Sequence, residues 1–203
     1  LIQKTDGYRA TLVNGTVVAW GSDSVRTNVP LDLTNAGAVS AGSWGSLALR
    51  SAGTIAAWGY NNRGQTNIPP ELTNVIAVAA GGYHSCALRS SGALACWGSN
   101  WTGESSAPTK GSFTAVAAGL YHSCALRSDG EAVCWGDNNY GQAAVPAGQR
   151  FTAIAAGSTH SCGLRASGAM VCWGNNASGQ ATPPIKQSFV ALTAGVDHTC
   201  GLR

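Results

Sequence analysis

Residues 113–142 read FTAVAAGLYHSCALRSDGEAVCWGDNNYGQ, and this stretch decides the fold. FTAVAA is short, uncharged and rich in small and β-prone residues, which predicts a buried strand. YHSCALR and EAVCW predict two further strands, joined by the compact turn Ser128-Asp129-Gly130. Asp137 to Tyr140 is a polar loop, and Gly141-Gln142 opens a fourth extended piece that reaches Pro146. A proline there suits an edge or a link rather than a central strand. The unit is therefore expected to be four antiparallel strands.

Counting outward from the turn sets Cys124 opposite Cys134 and Leu126 opposite Ala132, while Ala125, Val133 and Trp135 fall on the other face. Both faces are small or apolar. A sheet covered on one side would alternate apolar with polar residues, so these sheets need neighbours on both sides.

The neighbours are copies. The dipeptide WG recurs at Trp20, Trp58, Trp97, Trp135 and Trp173, spaced 38, 39, 38 and 38 residues apart. That period is too short for an independent domain, so each unit buries its faces against the next. Residues 41–59 (AGSWGSLALRSAGTIAAWG), 80–98 (AGGYHSCALRSSGALACWG) and 156–174 (AGSTHSCGLRASGAMVCWG) repeat the pattern. The expected architecture is all-β: a β-propeller of four-stranded antiparallel blades, one domain over 1–203. Its repeats run over 1–37, 38–76, 77–114, 115–152 and 153–190, with a partial unit at 191–203. Glycine, proline and threonine density and the missing 3.6-residue period exclude a helical solenoid.

The pattern AAG-x-x-HSCALRS-x-G-x-x-x-CWG-x-N-x-x-GQ resembles the regulator-of-chromosome-condensation repeat family. Its short period is closer to the propeller-type β-lactamase inhibitor protein, and its paired cysteines are similar to those of crinkly-type receptor ectodomains. The resemblance implies a ring, typically of seven blades, and this chain supplies five and a half. Completion by another chain or by missing residues is the corresponding expectation. One scaffold hosts many functions, so fold alone does not name the partner.

The formal net charge is +3, and five arginines (Arg50, Arg89, Arg127, Arg165 and Arg203) share one repeat position. They belong to the scaffold pattern, and without a Lys/Arg cluster a nucleic-acid partner is not expected. No apolar run approaches the roughly 20 residues of a membrane span.

Cys86/Cys96, Cys124/Cys134 and Cys162/Cys172 each lie opposite one another across a hairpin, within disulfide reach. The units without cysteine lack both members: Leu47 faces Ala57, and Arg9 faces Ala19. Disulfides place the chain in an oxidising setting, outside the cell or on its surface. Cys200 has no mate; its partner would fall near position 210, past the last residue, which suggests a longer native polypeptide.

His84, His122, His160 and His198 stand two residues before a cysteine, on one strand face. No fourth ligand recurs beside them, so a buried histidine bonded to a backbone carbonyl is expected rather than zinc. Ser85, Ser123 and Ser161 follow histidines but point to the opposite face, so no nucleophile–base pair forms within a strand. No catalytic residues, cofactor or metal are assigned, and the chain is not read as an enzyme. Of the sequons at Asn14, Asn100 and Asn176, the latter two are candidate glycan acceptors, Asn14 lying in a tight turn.

A meander puts the loop before the histidine and the loop after WG at the same end. That rim gathers Trp44, Tyr83 and Tyr121 from one loop set and Tyr60, Trp101 and Tyr140 from the other. Tyrosine and tryptophan on rigidly held loops are typical binding anchors. The leading expectation is a secreted or surface-displayed propeller that binds a protein, inhibitor-like action included. A carbohydrate-binding lectin and a structural subunit of an extracellular assembly are the alternatives. Nucleotide exchange is implied by the family name alone.

Overall fold

A computed structural model describes residues 2–3, 9–13 and 15–203, with side chains from residue 15 onward. Among the described residues, six small antiparallel sheets follow one another. The fourth is typical: Phe113–Ala118 pairs with His122–Arg127, which pairs with Ala132–Gly136. The second (Ala36–Ala41, Gly45–Arg50, Ile55–Gly59), third (Val75–Ala80, His84–Arg89, Leu94–Gly98) and fifth (Ala153–Ala156, His160–Leu164, Met170–Gly174) repeat it. The first is built from Ile2–Gln3, Arg9–Val13 and Thr16–Trp20, and the sixth has two strands, Ala191–Ala194 and Thr199–Leu202. The first strands of successive sheets are neighbours and surround an axial cavity of about 530 Å³. These are the blades of a propeller.

The blades have three strands rather than the four expected. The fourth piece forms no ladder because its donors are used locally: Ala143 N–H bonds the Asn138 side chain, Ala144 N–H bonds the Gly141 carbonyl, and Val145 N–H bonds the Ala143 carbonyl. Pro146 has no N–H to give. A second departure is the four-residue helix Ser24–Thr27, capped by the Asp23 side chain, which replaces the loop after the first WG.

Hairpin registers follow the sequence count, with Cys86 opposite Cys96, Cys124 opposite Cys134 and Cys162 opposite Cys172. The first blade differs by one: Ala10, not Arg9, faces Ala19. Its turn, between Val13 and Thr16, has two residues where the others have three. Asn14 itself lies outside the described residues. Arg127 N–H bonds the Glu131 carbonyl and Asp137 N–H bonds that of Tyr121. Alternation from these ends makes Cys124/Cys134 a non-hydrogen-bonded pair, the closer kind.

Disulfides close all three expected pairs. Cα atoms are 4.1 Å apart in Cys86–Cys96, 4.0 Å in Cys124–Cys134 and 4.0 Å in Cys162–Cys172. The two ends of each bridge differ in environment. Cys86, Cys124 and Cys162 stand on the middle strand and are fully buried. Cys96, Cys134 and Cys172 stand on the third strand and are half-buried, because no fourth strand covers that edge. Cys200 is an exposed thiol.

The core lies between blades. Leu47, Ile55, Leu72 and Val75 pack on Ala87 and Trp97 of the third blade. Leu126 and Ala132 of the fourth pack on Phe151 and Trp173, while Ala125 turns the other way onto Leu88 and Phe113. Both faces are thus covered, as their apolar composition requires. Val190, just before the sixth sheet, and Leu202 on it are exposed.

Polar bonds rivet the same gaps. Ser123 Oγ lies 3.0 Å from the Glu104 carbonyl and 2.7 Å from His84 Nε2 of the preceding blade. A carbonyl only accepts, so the hydroxyl proton goes to Glu104 and the histidine N–H donates to the hydroxyl. His122–Ser161–Gln142 and His160–Thr199–Gln180 repeat the relay. The histidine partner is therefore a hydroxyl of the next blade, not the backbone carbonyl expected. Trp97, Trp135 and Trp173 send their indole N–H to the carbonyls of Gln65, Glu104 and Gln142. Trp58 bonds the Arg26 carbonyl in the same way. The glycine of AAG makes room: a Cβ on Gly119 would sit 2.3 Å from His122 Cε1 and 2.4 Å from the Gly157 carbonyl oxygen.

Nδ1 of His84, His122 and His160 is buried with no partner. Burial lowers the pKa of His84 to about 4 and that of His122 to about 3, from 6.5, and lowers that of His160. As pH falls the unfolded chain takes up the proton first, so stability is full above 6.5 and is lost on the way to the folded values. The carboxylates held low, Asp23, Glu104 and Asp129, add losses beneath their ordinary 3.8–4.5. Unfolding free energies from urea titrations should therefore be flat above neutrality and decline between about pH 6.5 and 4.5. His122→Gln, which keeps a donor for Ser161, should reduce that slope by about 1.4 kcal/mol per pH unit. An unchanged slope would show that His122 carries its proton in the fold. Replacing Cys124 and Cys134 together by alanine should lower unfolding free energy by about 2–3 kcal/mol and leave circular dichroism intact.

Candidate binding rim

The relay also aims the rim. Tyr83 and Tyr121 directly precede buried histidines, and Trp44 precedes Gly45 at the same position. Backbone bonds tie their loops across blades: Ser43 N–H to the Gly81 carbonyl, and Gly82 N–H to that of Gly119. Trp44, Tyr83 and Tyr121 thus form a strip, with ring centroids 5.8 and 5.7 Å apart and the two tyrosines stacked at 15°. Tyr60 meets Trp44 edge-on at 5.7 Å, and Trp101 lies 5.9 and 6.2 Å from Tyr83 and Tyr121. Five of the six aromatics expected at this rim are one connected cluster. Tyr140 is exposed at 58 % and makes none of these ring contacts.

The loops after WG are braced by polar side chains. In the third blade Ser99 Oγ donates to Glu104 Oε1, while Thr102 N–H and its hydroxyl donate to Oε2 at 2.8 and 2.9 Å. Trp101 N–H adds a longer bond of 3.3 Å. Burial pulls the Glu104 pKa upward, but the bonds from Ser99, its own backbone and Thr102 outweigh it and hold the carboxyl below its ordinary range. Gln65, Gln142 and Gln180 occupy this position in the other loops, each accepting from a backbone N–H two residues earlier. Glu104 therefore holds Trp101, the most exposed aromatic of the cluster, on a fixed loop. Arg63 stacks on Trp101, its Cζ 4.3 Å from the ring, and Arg26 lies 5.5 Å from Trp44. Arg63 and Glu104 belong to no motif of the repeat. The signal lay in departures from the repeat: a carboxylate in a glutamine series, and an arginine outside the arginine register.

The bridges Cys86–Cys96, Cys124–Cys134 and Cys162–Cys172 lie within the blades rather than on the rim. Each joins the strand that carries a relay histidine to the strand that carries a WG tryptophan, so it anchors both loops that rise to the rim. Asn100 and Asn176 sit in the loops after WG and are exposed, but their side-chain N–H groups bond Ser106 and Thr182. Asn61 makes the matching brace outside any sequon. The opposite rim carries the arginine series as scaffold: Arg50 bonds Asp32, Arg89 the Glu71 carbonyl, and Arg165 the Gln149 side chain. The axial cavity is lined by backbone and small or apolar side chains such as Ser40, Val78, Val116 and Ile154, with the aromatic strip at its mouth. Among the described residues, no group of three or more His, Cys, Asp or Glu is placed to hold a metal ion. No helix among them is long and apolar enough to cross a membrane.

Comparison with known proteins agrees with this architecture. The ectodomain of the Physcomitrella patens receptor kinase CR4 superposes with a TM-score of 0.81 at 30 % identity, covering 98 % of this chain and 56 % of that one. The chain thus spans little more than half of that ectodomain. The crinkly ectodomain of the Arabidopsis thaliana receptor kinase ACR4 gives 0.76 at 26 %, covering 98 % and 74 %. Prp20p of Saccharomyces cerevisiae, described with its binding to Gsp1p and histones, gives 0.77 at 20 %, covering 96 % and 66 %, a likeness of fold. No curated protein sequence matches significantly. The regulator of chromosome condensation (RCC1) repeat matches residues 38–65, 75–100, 113–142 and 151–180, more than half of the chain, and the protein belongs to that repeat family.

Proposed function

We propose that this chain is an extracellular or cell-surface propeller that binds a protein through the aromatic rim. The observation that carries the reading is the cluster of Trp44, Tyr60, Tyr83, Trp101 and Tyr121, joined ring to ring at the mouth of the axial cavity. Large rings on loops fixed from beneath lose little entropy on binding, which is what makes them anchors. Three disulfides favour an oxidising compartment, and the likeness to two receptor ectodomains supports the same setting.

Immobilised chain exposed to the extracellular fluid of its source should retain a protein that the Trp44→Ala, Trp101→Ala double variant loses by at least about tenfold, the scale of one aromatic hot spot. The variant's urea midpoint should stay close to that of the parent. Equal retention by both forms, or a collapsed midpoint, would overturn the reading. Multivalent binding to a neutral glycan array, abolished by the same substitutions, would assign the rings to sugars instead.

A further inference from the structure

We infer that the rim recognises an acidic extended protein segment, a loop or tail whose carboxylate is taken by the Arg63 guanidinium beside the hydroxyls of Tyr83 and Tyr121. This rests on the protein-binding reading above and names the chemistry of the partner.

Most of the arginines spend their donors within the fold. Arg26 pairs with Asp23, Arg50 with Asp32, Arg127 with Glu131 and Arg150 with Asp129. Arg89 and Arg165 bond the Glu71 carbonyl and the Gln149 side chain. Arg63, with Arg203 at the last position, has a guanidinium with no hydrogen bond or ion pair among the described residues. It is nonetheless held in place. Its backbone N–H bonds Gln65 Oε1, the Asn61 side chain ties its loop to Asn67 and Thr66, and its Cζ lies over the Trp101 ring at 4.3 Å. Stacking uses the face of the guanidinium and leaves its in-plane fork for a carboxylate.

The acidic groups in the rim loops after WG are already occupied. Glu104 lies buried beneath Trp101 with its oxygens taken by Ser99, Trp101 and Thr102. Asp23 holds Arg26 and the Tyr60 hydroxyl. Asp137 accepts from Asn139 N–H and the Gln142 side chain. Around Arg63 the rim therefore presents a cation whose flanking carboxylates are engaged, the exposed Asp197 standing before His198, between the two strands of the sixth sheet. The stacked phenols add donors around the same ring: Trp101 lies 5.9 and 6.2 Å from Tyr83 and Tyr121 and 4.3 Å from Arg63 Cζ, and the Arg63 charge acts on the Tyr121 hydroxyl. A carboxylate accepts from all three, and the strip from Trp44 to Tyr121 gives the flanking residues an apolar surface.

The test uses the whole chain as bait for a display library of random twelve-residue peptides, with binding of the selected peptides then measured by fluorescence anisotropy. Selected peptides should be enriched in Asp and Glu and should weaken with added salt. Arg63→Gln should weaken them by about tenfold or more, the loss of one charge-assisted forked contact. Arg63→Lys should restore part of the loss. Tyr83→Phe with Tyr121→Phe, which keeps the rings, should weaken binding several-fold. Lys110→Gln removes an equal charge at the other rim and should change nothing. Selected peptides without acidic residues, or equal affinity for the parent and Arg63→Gln, would overturn the carboxylate assignment. In that case loss on Trp101→Ala would leave the aromatic rim intact as a binding surface, whereas no loss would remove both. A bait that selects no peptide would overturn the extended-segment assignment.

Discussion

A buried imidazole N–H, a serine hydroxyl and a backbone carbonyl, bonded in series across the gap between blades, hold this fold to one geometry. The carbonyl of Glu104 accepts from both Ser123 and Trp135, and that of Gln142 accepts from both Ser161 and Trp173. Each gap is otherwise packed with alanine, leucine and aromatic rings, so a donor left without its acceptor would be stranded away from water at a cost of about 1–3 kcal/mol. Blades can therefore slide or rotate against one another only by breaking several such bonds together. The recurring letters of the unit have one shared origin here. Glycine admits the histidine, histidine reaches the serine, and tryptophan and serine meet at one carbonyl.

That arrangement separates scaffold from surface. Positions inside the relay are constrained by distance, whereas the residue just before the histidine and those in the loop after WG project beyond it. Trp44, Tyr83 and Tyr121 occupy the first kind of place and Tyr60, Arg63, Trp101 and Tyr140 the second. Successive blades bring the first three rings into a row, 5.8 and 5.7 Å from one to the next. An aromatic strip arises from the spacing of the ring itself, and its composition is set at positions that project beyond the relay. The Glu104 loop shows the two layers meeting, since an internal carboxylate fixes the exposed Trp101.

The strands, their registers and the three disulfides were legible because they depend on local counting. Side chains alternate along a strand, and a three-residue turn fixes which residues oppose, so Cys86 finds Cys96 and Cys162 finds Cys172 by the same count as Cys124 and Cys134. Where the turn shortens to two residues, as in the first blade, the count slips by one. The expected fourth strand does not form for a related reason. Its residues look extended, but their N–H groups are consumed within the loop by Asn138 and nearby carbonyls. The histidine partner lay beyond local reasoning altogether, since Ser123 is 39 residues from His84 and is apposed to it only when blades stack.

The sequence by itself determined a repeating antiparallel unit, apolar on both faces, cross-linked by cysteine pairs and presenting aromatics at one end. Periodicity and turn chemistry act within a single unit, and nothing more is needed to read them. Only the tertiary structure decided which hydroxyl holds each histidine, that Glu104 is an internal brace, and that Arg63 lies over Trp101 with its guanidinium unpaired among the described residues. Those facts depend on distances between blades, which are fixed by packing around the axis and have no counterpart in the order of residues within one unit.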